Sequence, residues 1–213
     1  DPALSVKRVK TPKTKGFHTW TAVEIAQFNE RHPPGSMARL ALYLLLFLGR
    51  RRSEVVRLGR QHLDEGGIWI RQPKTEASED ERLWLPLHPD LAAEIRGAMG
   101  RMTFLASGIG QPFATGNSFG NWWKDRCKEA KLDHWGTHGG RKAVATFLAE
   151  AGASAHQIKS VTGHKTLAEV QRYTEAAERR KLAGAAMLRL EFGNSDPQVS
   201  NSAEKLSDIN GES

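Results

Sequence analysis

Apolar residues along the chain recur mainly at helical spacing, with two short interruptions at strand spacing. Thr21-x-x-Glu24 is a capping box, in which the Thr hydroxyl and the Glu carboxylate each satisfy a free backbone N–H, and it opens a predicted helix over 22–31. Pro33-Pro34-Gly35 breaks that helix, and Ser36 caps a second one reaching Leu48. This second helix is apolar on most faces, which predicts a position at the centre of the core, and Gly49 ends it. A short helix over 53–58 follows. Gly66-Gly67 is a turn, the runs 68–70 and 83–87 read as strands, and the polar stretch 73–81 between them reads as a hairpin loop.

Further helices are expected over 90–98, 117–130, 138–151, 154–161, 166–173 and 176–191. The fold class is therefore mainly α with a small antiparallel β-sheet (α+β), and no internal repeat is visible. Residues 1–18 read as a basic linker, 19–192 as the folded domain, and 193–213 as a polar, aromatic-free tail expected to be disordered. The chain begins Asp1-Pro2, and we expect it to be a piece of a longer protein with a further domain ahead of the linker.

Charge narrows the class of partner. The chain of 213 residues carries a net charge of +7. Four acids against Lys205 leave the tail at −3, so the body carries +10. A basic compact body favours a polyanion, most often nucleic acid. Cys127 is the only cysteine, which excludes an intrachain disulfide and a cysteine-built zinc site and fits a reducing cytoplasm. The eight histidines show no H-E-x-x-H spacing, so no metal and no cofactor are expected. The longest apolar run, 40–48, is far short of the roughly 20 residues that span a bilayer, so no membrane partner is expected.

Four segments then carry chemistry. "LGRRRSEVVRL", 48–58, places Arg50, Arg51 and Arg52 directly after the most apolar helix, with Glu54 three residues beyond Arg51 and able to orient its guanidinium. "QPKTEASEDER" holds Lys74, although a lone loop lysine is usually solvated. "THGGRKAVATFLAEAG", 137–152, opens an otherwise ordinary apolar helix with His138, two glycines and Arg141. That basic pair shares one face at a helix N-terminus, where free N–H groups already favour an anion. "VTGHKTLAEVQRYTEAAERR", 161–180, sets Tyr173 nine residues after His164, amid polar neighbours, whereas Tyr43 sits in the apolar helix and is expected in the core.

Together and in this order, these segments resemble the catalytic domain of the tyrosine recombinases, or phage-type integrases, over about 20–180. The family pattern is T-G-x-R-x-S-E, a hairpin lysine, H-x-x-R, then L-G-H and a tyrosine nine residues on. Its first arginine falls on Arg51, with Arg50 and Arg52 as register alternatives, and its acid falls on Glu54. Lys74, His138, Arg141, His164 and Tyr173 match the remaining positions. The chain departs from the pattern at Leu48 (Thr in the family), Arg50 (apolar) and Thr162 (Leu).

The resemblance implies cleavage and rejoining of double-stranded DNA through a 3′-phosphotyrosyl link to Tyr173, leaving a free 5′ hydroxyl. Arg51 and Arg141 would grip the scissile phosphate, and His138 would accept the tyrosine proton or hold the phosphate. His164 would donate to a phosphate oxygen, and Lys74 would protonate the leaving oxygen. The glycines after His138 would let the DNA backbone approach the helix end. Lys7, Arg8, Lys10, Lys13 and Lys15, with Arg50 and Arg52, would track the DNA backbone.

Relatives imply a homo-tetramer on DNA and a monomer when free, in a bacterial or phage cytoplasm, with a C-terminal helix such as 176–191 packing either on its own domain or on a neighbour. Three rivals remain. They are a type IB topoisomerase-like nicking and closing enzyme, a non-catalytic DNA-binding relative, and a metal-dependent nuclease built on Glu79, Asp80 and Glu81.

Overall fold

The structure is a computed structural model and describes residues 18–71, 82–132 and 136–190. Eight helices run in order among these residues: α1 (Ala22–Arg31), α2 (Met37–Leu48), α3 (Arg52–Val55), α4 (Pro89–Arg96), α5 (Gly116–Glu129), α6 (His138–Glu150), α7 (Ala155–Thr162) and α8 (Leu167–Met187). Between α3 and α4 lie β1 (Leu63–Asp64), β2 (Gly67–Arg71) and β3 (Arg82–Pro86), in an antiparallel sheet of order β1-β2-β3. Residues 1–17, 72–81, 133–135 and 191–213 lie outside the described residues, and with them the expected linker up to residue 17, the expected hairpin loop 73–81 and the expected tail 193–213. Residues up to Thr174 make one compact unit, and a second begins at Glu175.

The helix boundaries follow from local chemistry. Thr21 accepts from the Glu24 N–H at 3.3 Å while the Glu24 carboxylate accepts from the Thr21 N–H at 2.8 Å, closing the expected capping box. Ser36 caps α2 by accepting from the Arg39 N–H at 3.3 Å. Gly49 ends α2 in the left-handed region at φ 59°, which a glycine adopts without steric cost.

The core forms around α2, whose Ala38, Leu40, Ala41, Leu42, Leu44, Leu45 and Leu48 are all buried. It packs against α4 and α6. Trp20, Phe28 and Trp123 add an aromatic cluster with ring centroids 5.0 to 5.8 Å apart, the separation that edge and offset stacking favour. Tyr43 is half-buried, packing on the core's edge with its ring 5.3 Å from Phe47. Cys127 is buried on α5, and loss of hydration there pushes its thiol up to about 12.

In the sheet, Ile68, Ile70 and Leu85 turn inward while the paired Trp69 and Trp84 face out, as the two-residue period of a strand requires.

Three elements differ from the sequence reading. The expected helix 53–58 is a single α-turn, Arg52–Val55, because Leu58 and Gly59 lead into a 3-10 turn at Arg60–His62. β1 is two residues long, too short to leave an alternating pattern. The helices expected over 166–173 and 176–191 are one helix, since Thr174-Glu175-Ala176 contains neither Gly nor Pro to break it.

Leu44 is fully buried in α2. Leu44→Ala should lower unfolding free energy by about 2–5 kcal/mol, read as a shift of the urea midpoint at constant slope.

Candidate active site

The site is assembled where α2, α6 and α7 meet. α2 ends at Gly49, and the chain turns through Arg50 and Arg51 into α3. α7 ends in the same manner at Gly163, with φ 65°. The two corners interlock. A methyl added to Gly49 would lie 3.3 Å from the Thr162 methyl, and one added to Gly163 would collide with the Arg50 guanidinium. The long cation at position 50, where the family pattern has an apolar residue, thus lies against Gly163, whose lack of a side chain leaves it room.

Three consecutive arginines therefore take three different places. Arg50 is 2% exposed, and its Nε and one terminal nitrogen have no hydrogen-bond partner among the described residues. Burial lowers its pKa to about 10; Glu54 acts against this, and Arg141 and Arg51 add to it. Arg51 caps the start of α3 from an extended backbone, with its side chain exposed. Arg52 turns to α5, where it donates to Asn117 Oδ1 at 2.7 Å. Glu54 is half-buried, and one of its carboxylate oxygens is enclosed without a hydrogen-bond partner among the described residues.

Arg141 projects from the first turn of α6, which starts at His138. Burial and then the charge of Arg51 push its pKa down, while Glu54, Glu169 and Tyr173 act in the opposite sense. Arg50, Arg51, Glu54, Arg141, Glu169 and Tyr173 thus share one electrostatic neighbourhood.

The first of the two glycines after His138 makes room for a part of this chain. A methyl on Gly139 would strike the His18 carbonyl and the Trp20 ring, and one on Gly140 would sit in ordinary contact with Leu45. Gly139 therefore admits the chain entering α1, and the close approach at that position is made by the protein's own backbone, whereas Gly140 has room for a methyl.

His164 follows the α7 corner, and its ring centroid lies 6.2 Å from that of Tyr173 at an interplanar angle of 48°. Its Nδ1 is 2.6 Å from the Thr162 hydroxyl, which itself donates to the Ile158 carbonyl at 2.7 Å. Burial and Arg141 push its pKa down to about 4, with Arg172 and Arg50 lowering it further and Glu169 opposing them.

Tyr173 is half-buried on α8. Arg172 donates to its hydroxyl at 3.1 Å and places its guanidinium 4.9 Å from the ring centroid. The sequence reading passed over Thr162, Glu169 and Arg172. The signal for Thr162 was a hydroxyl at a position that is Leu in the family; Arg172 and Glu169 had no signal beyond proximity to Tyr173. Lys74, the basic run Lys7, Arg8, Lys10, Lys13 and Lys15, and the acids Glu79, Asp80 and Glu81 lie outside the described residues. Among the described residues, no three His, Cys, Asp or Glu side chains are grouped to hold a metal ion.

Two measurements probe this corner. Gly163→Ala should cost about 1–2 kcal/mol for the left-handed backbone and more for displacing Arg50. Gly35→Ala, at φ 79° with open space around it, should show the backbone cost alone, so the difference in urea midpoint isolates the Arg50 contact. The second concerns protons. An unfolded histidine titrates near 6.5 and folded His164 near 4, so between those values the unfolded chain takes up a proton that the folded one refuses. Stability should therefore fall as pH drops through that window, and His164→Gln should flatten the slope of urea midpoint against pH.

Comparison with known proteins places this geometry. The sequence pattern of the phage integrase family matches residues 20–180. No curated protein matches the chain. Among solved structures, XerA recombinase is similar at a TM-score of 0.62 and 18% identity, covering 87% of this chain and 68% of its own. A lambda integrase dimer bound to a core site gives 0.61 and 20%, covering 81% and 63%. The Tn1549 transposon integrase, in complex with transposon right end DNA, gives 0.63 and 16%, covering 80% and 68%. The chain thus spans about two thirds of the length of these structures. A mostly helical domain with a three-stranded antiparallel sheet, matched by the family pattern from Trp20 to Arg180, belongs to the phage integrase family, the tyrosine recombinases.

Proposed function

We propose that this chain is the strand-exchanging part of a site-specific DNA recombinase, and that it cleaves and rejoins DNA through a covalent 3′-phosphotyrosyl bond to Tyr173. The observation that carries this reading is the position of Arg141 on α6, whose guanidinium feels the charges of both Arg51, at the start of α3, and Tyr173, on α8. Arg51 is the first phosphate-binding arginine in this reading. It is exposed, whereas Arg50 is buried beneath Gly163 and Arg52 is committed to Asn117.

The energetics are adequate without a metal. A phenol with an ordinary pKa of about 10 is ionised at about one part in a thousand at pH 7, a deficit of about 4 kcal/mol. Each guanidinium aimed at charge developing on the phosphorane is worth about 3–4 kcal/mol, so two outweigh that deficit. The planar forks of Arg51 and Arg141 suit the two non-bridging oxygens, and Glu54 offers a carboxylate to hold an arginine in place. His138, opening α6, holds the phosphate from the same helix end as Arg141. Lys74 delivers a proton to the departing 5′ oxygen. The phosphotyrosyl link conserves the energy of the broken bond, so rejoining needs no ATP and no other cofactor.

The partner is double-stranded DNA, tracked by the basic segment Lys7, Arg8, Lys10, Lys13 and Lys15 together with a preceding domain. Copies pair on DNA, as lambda integrase does on its core site, and four complete an exchange.

A pool of nicked duplexes of randomised sequence, in which cleavage releases a short fragment and traps the adduct, tests the reading. The wild-type chain should form a DNA adduct that survives SDS, in EDTA as well as in magnesium. Tyr173→Phe should form none while binding DNA as before. Arg51→Ala and Arg141→Ala should slow adduct formation by about 100- to 1000-fold each. An adduct formed equally by wild type and Tyr173→Phe would overturn the assignment, and relaxation of supercoiled DNA without strand exchange would redirect it to a nicking and closing enzyme.

A further inference from the structure

The Thr162 hydroxyl has one proton and two close neighbours. The Ile158 carbonyl lies 2.7 Å from Oγ1 and His164 Nδ1 lies 2.6 Å from it. A carbonyl oxygen brings no hydrogen, so the 2.7 Å oxygen–oxygen approach is attractive only if the Thr162 proton lies between them. The contact to His164 then needs its own proton, and only Nδ1 can supply it. The network therefore fixes the tautomer, with Nδ1–H donating to Thr162 and Nε2 left as a bare lone pair.

This runs against the donor role that family resemblance implies for His164. A neutral ring in this tautomer has nothing at Nε2 to give a phosphate oxygen. It can only accept. The ring next to it belongs to Tyr173, centroid to centroid 6.2 Å away.

We infer that Thr162 locks His164 as the proton acceptor for Tyr173, so that the histidine becomes a phosphate donor only after it has taken the phenolic proton. The inference rests on the covalent reading of Tyr173 given above. The step balances. The Tyr173 Oη–H bond breaks and its proton goes to His164 Nε2. Oη bonds to phosphorus, the bond from phosphorus to the 5′ oxygen breaks, and that oxygen takes a proton from Lys74. The resulting imidazolium keeps Nδ1–H on Thr162 and turns its new Nε2–H to a non-bridging oxygen. Rejoining returns the proton along the same path.

The surroundings fit an acceptor in the free protein. Burial, then Arg141, with Arg172 and Arg50, hold the ring neutral down to about pH 4, against the single opposing charge of Glu169. A phosphate held by Arg141 offsets that positive charge, which raises the proton affinity of His164 when substrate arrives. Thr162 is a positioning residue here. It is fully buried, at the place where the family pattern has Leu, and it acts only through the ring.

Nitrogen-15 NMR of the histidine rings in the full chain reads the tautomer directly. The wild type should show His164 protonated at Nδ1 and bare at Nε2, assigned by loss of the signal in His164→Gln. Thr162→Val, which preserves shape and removes the hydroxyl, should release the ring to the Nε2–H form, and Thr162→Ser should restore the wild-type pattern.

Kinetics with the nicked random pool give the second readout. His164→Trp, which can donate but not accept, should slow adduct formation by ~100-fold at unchanged DNA affinity. Thr162→Val should slow it in the same direction, and Thr162→Ser should recover it. An Nε2–H ring in the wild type, or a His164→Trp chain that forms adduct at the wild-type rate, overturns the inference while leaving the Tyr173 assignment intact. Absence of any wild-type adduct beside an Nδ1–H ring overturns the covalent reading instead, and with it the role of His164.

Discussion

Like charges held together against their repulsion are the constraint on which this domain turns. Burial lowers the proton affinity of Arg50 and Arg141, and neighbouring guanidiniums lower it further, Arg141 and Arg51 acting on Arg50 and Arg51 acting on Arg141. Glu54 is the acid that opposes this for both of them. Left to itself, such a group would separate into water. It cannot, because Arg50 and Arg51 follow a helix whose seven buried side chains make up the centre of the core, and Arg141 leaves a helix packed against it. Hydrophobic packing thus holds an electrostatic arrangement that is unfavourable until an anion enters. Preorganised charge of this kind does its work without rearranging at the moment of reaction.

The interlocked corners at Gly49 and Gly163 carry that constraint to the other half of the site. Each glycine leaves a space that the opposite strand of chain fills, a methyl of Thr162 in one case and the Arg50 guanidinium in the other. His164 comes directly after the second corner, and Thr162 directly before it grips its ring. The position of the arginine corner and the chemistry of the histidine are consequently set by one contact surface. Arg50 faces Gly163 and the Thr162 methyl faces Gly49, so both departures from the family pattern lie at this contact.

Much of this was legible before any coordinates. The caps at Thr21 and Ser36, the apolar run of α2 and the stop at Gly49 are strong local signals, and the helices start and end within a residue or two of them. The two-residue β1 and the 3-10 turn left no periodicity to read. The neighbour of Gly139 was hidden for a physical reason. A glycine reports that something comes close, and only the tertiary structure reveals that the visitor is the backbone at His18. The tautomer of His164 was equally beyond the sequence, since it depends on Thr162 being bound to Ile158, four residues back in the same helix.

One quiet residue has a practical value. Cys127 is the only thiol in the chain, it lies sealed within α5, and its elevated proton affinity leaves almost no thiolate at neutral pH. This chain is therefore close to a blank canvas for sulfhydryl chemistry. A single cysteine engineered onto an outward position such as Ile109 would carry a spin label, a fluorophore or a DNA-tethering linker without first stripping out a competing site.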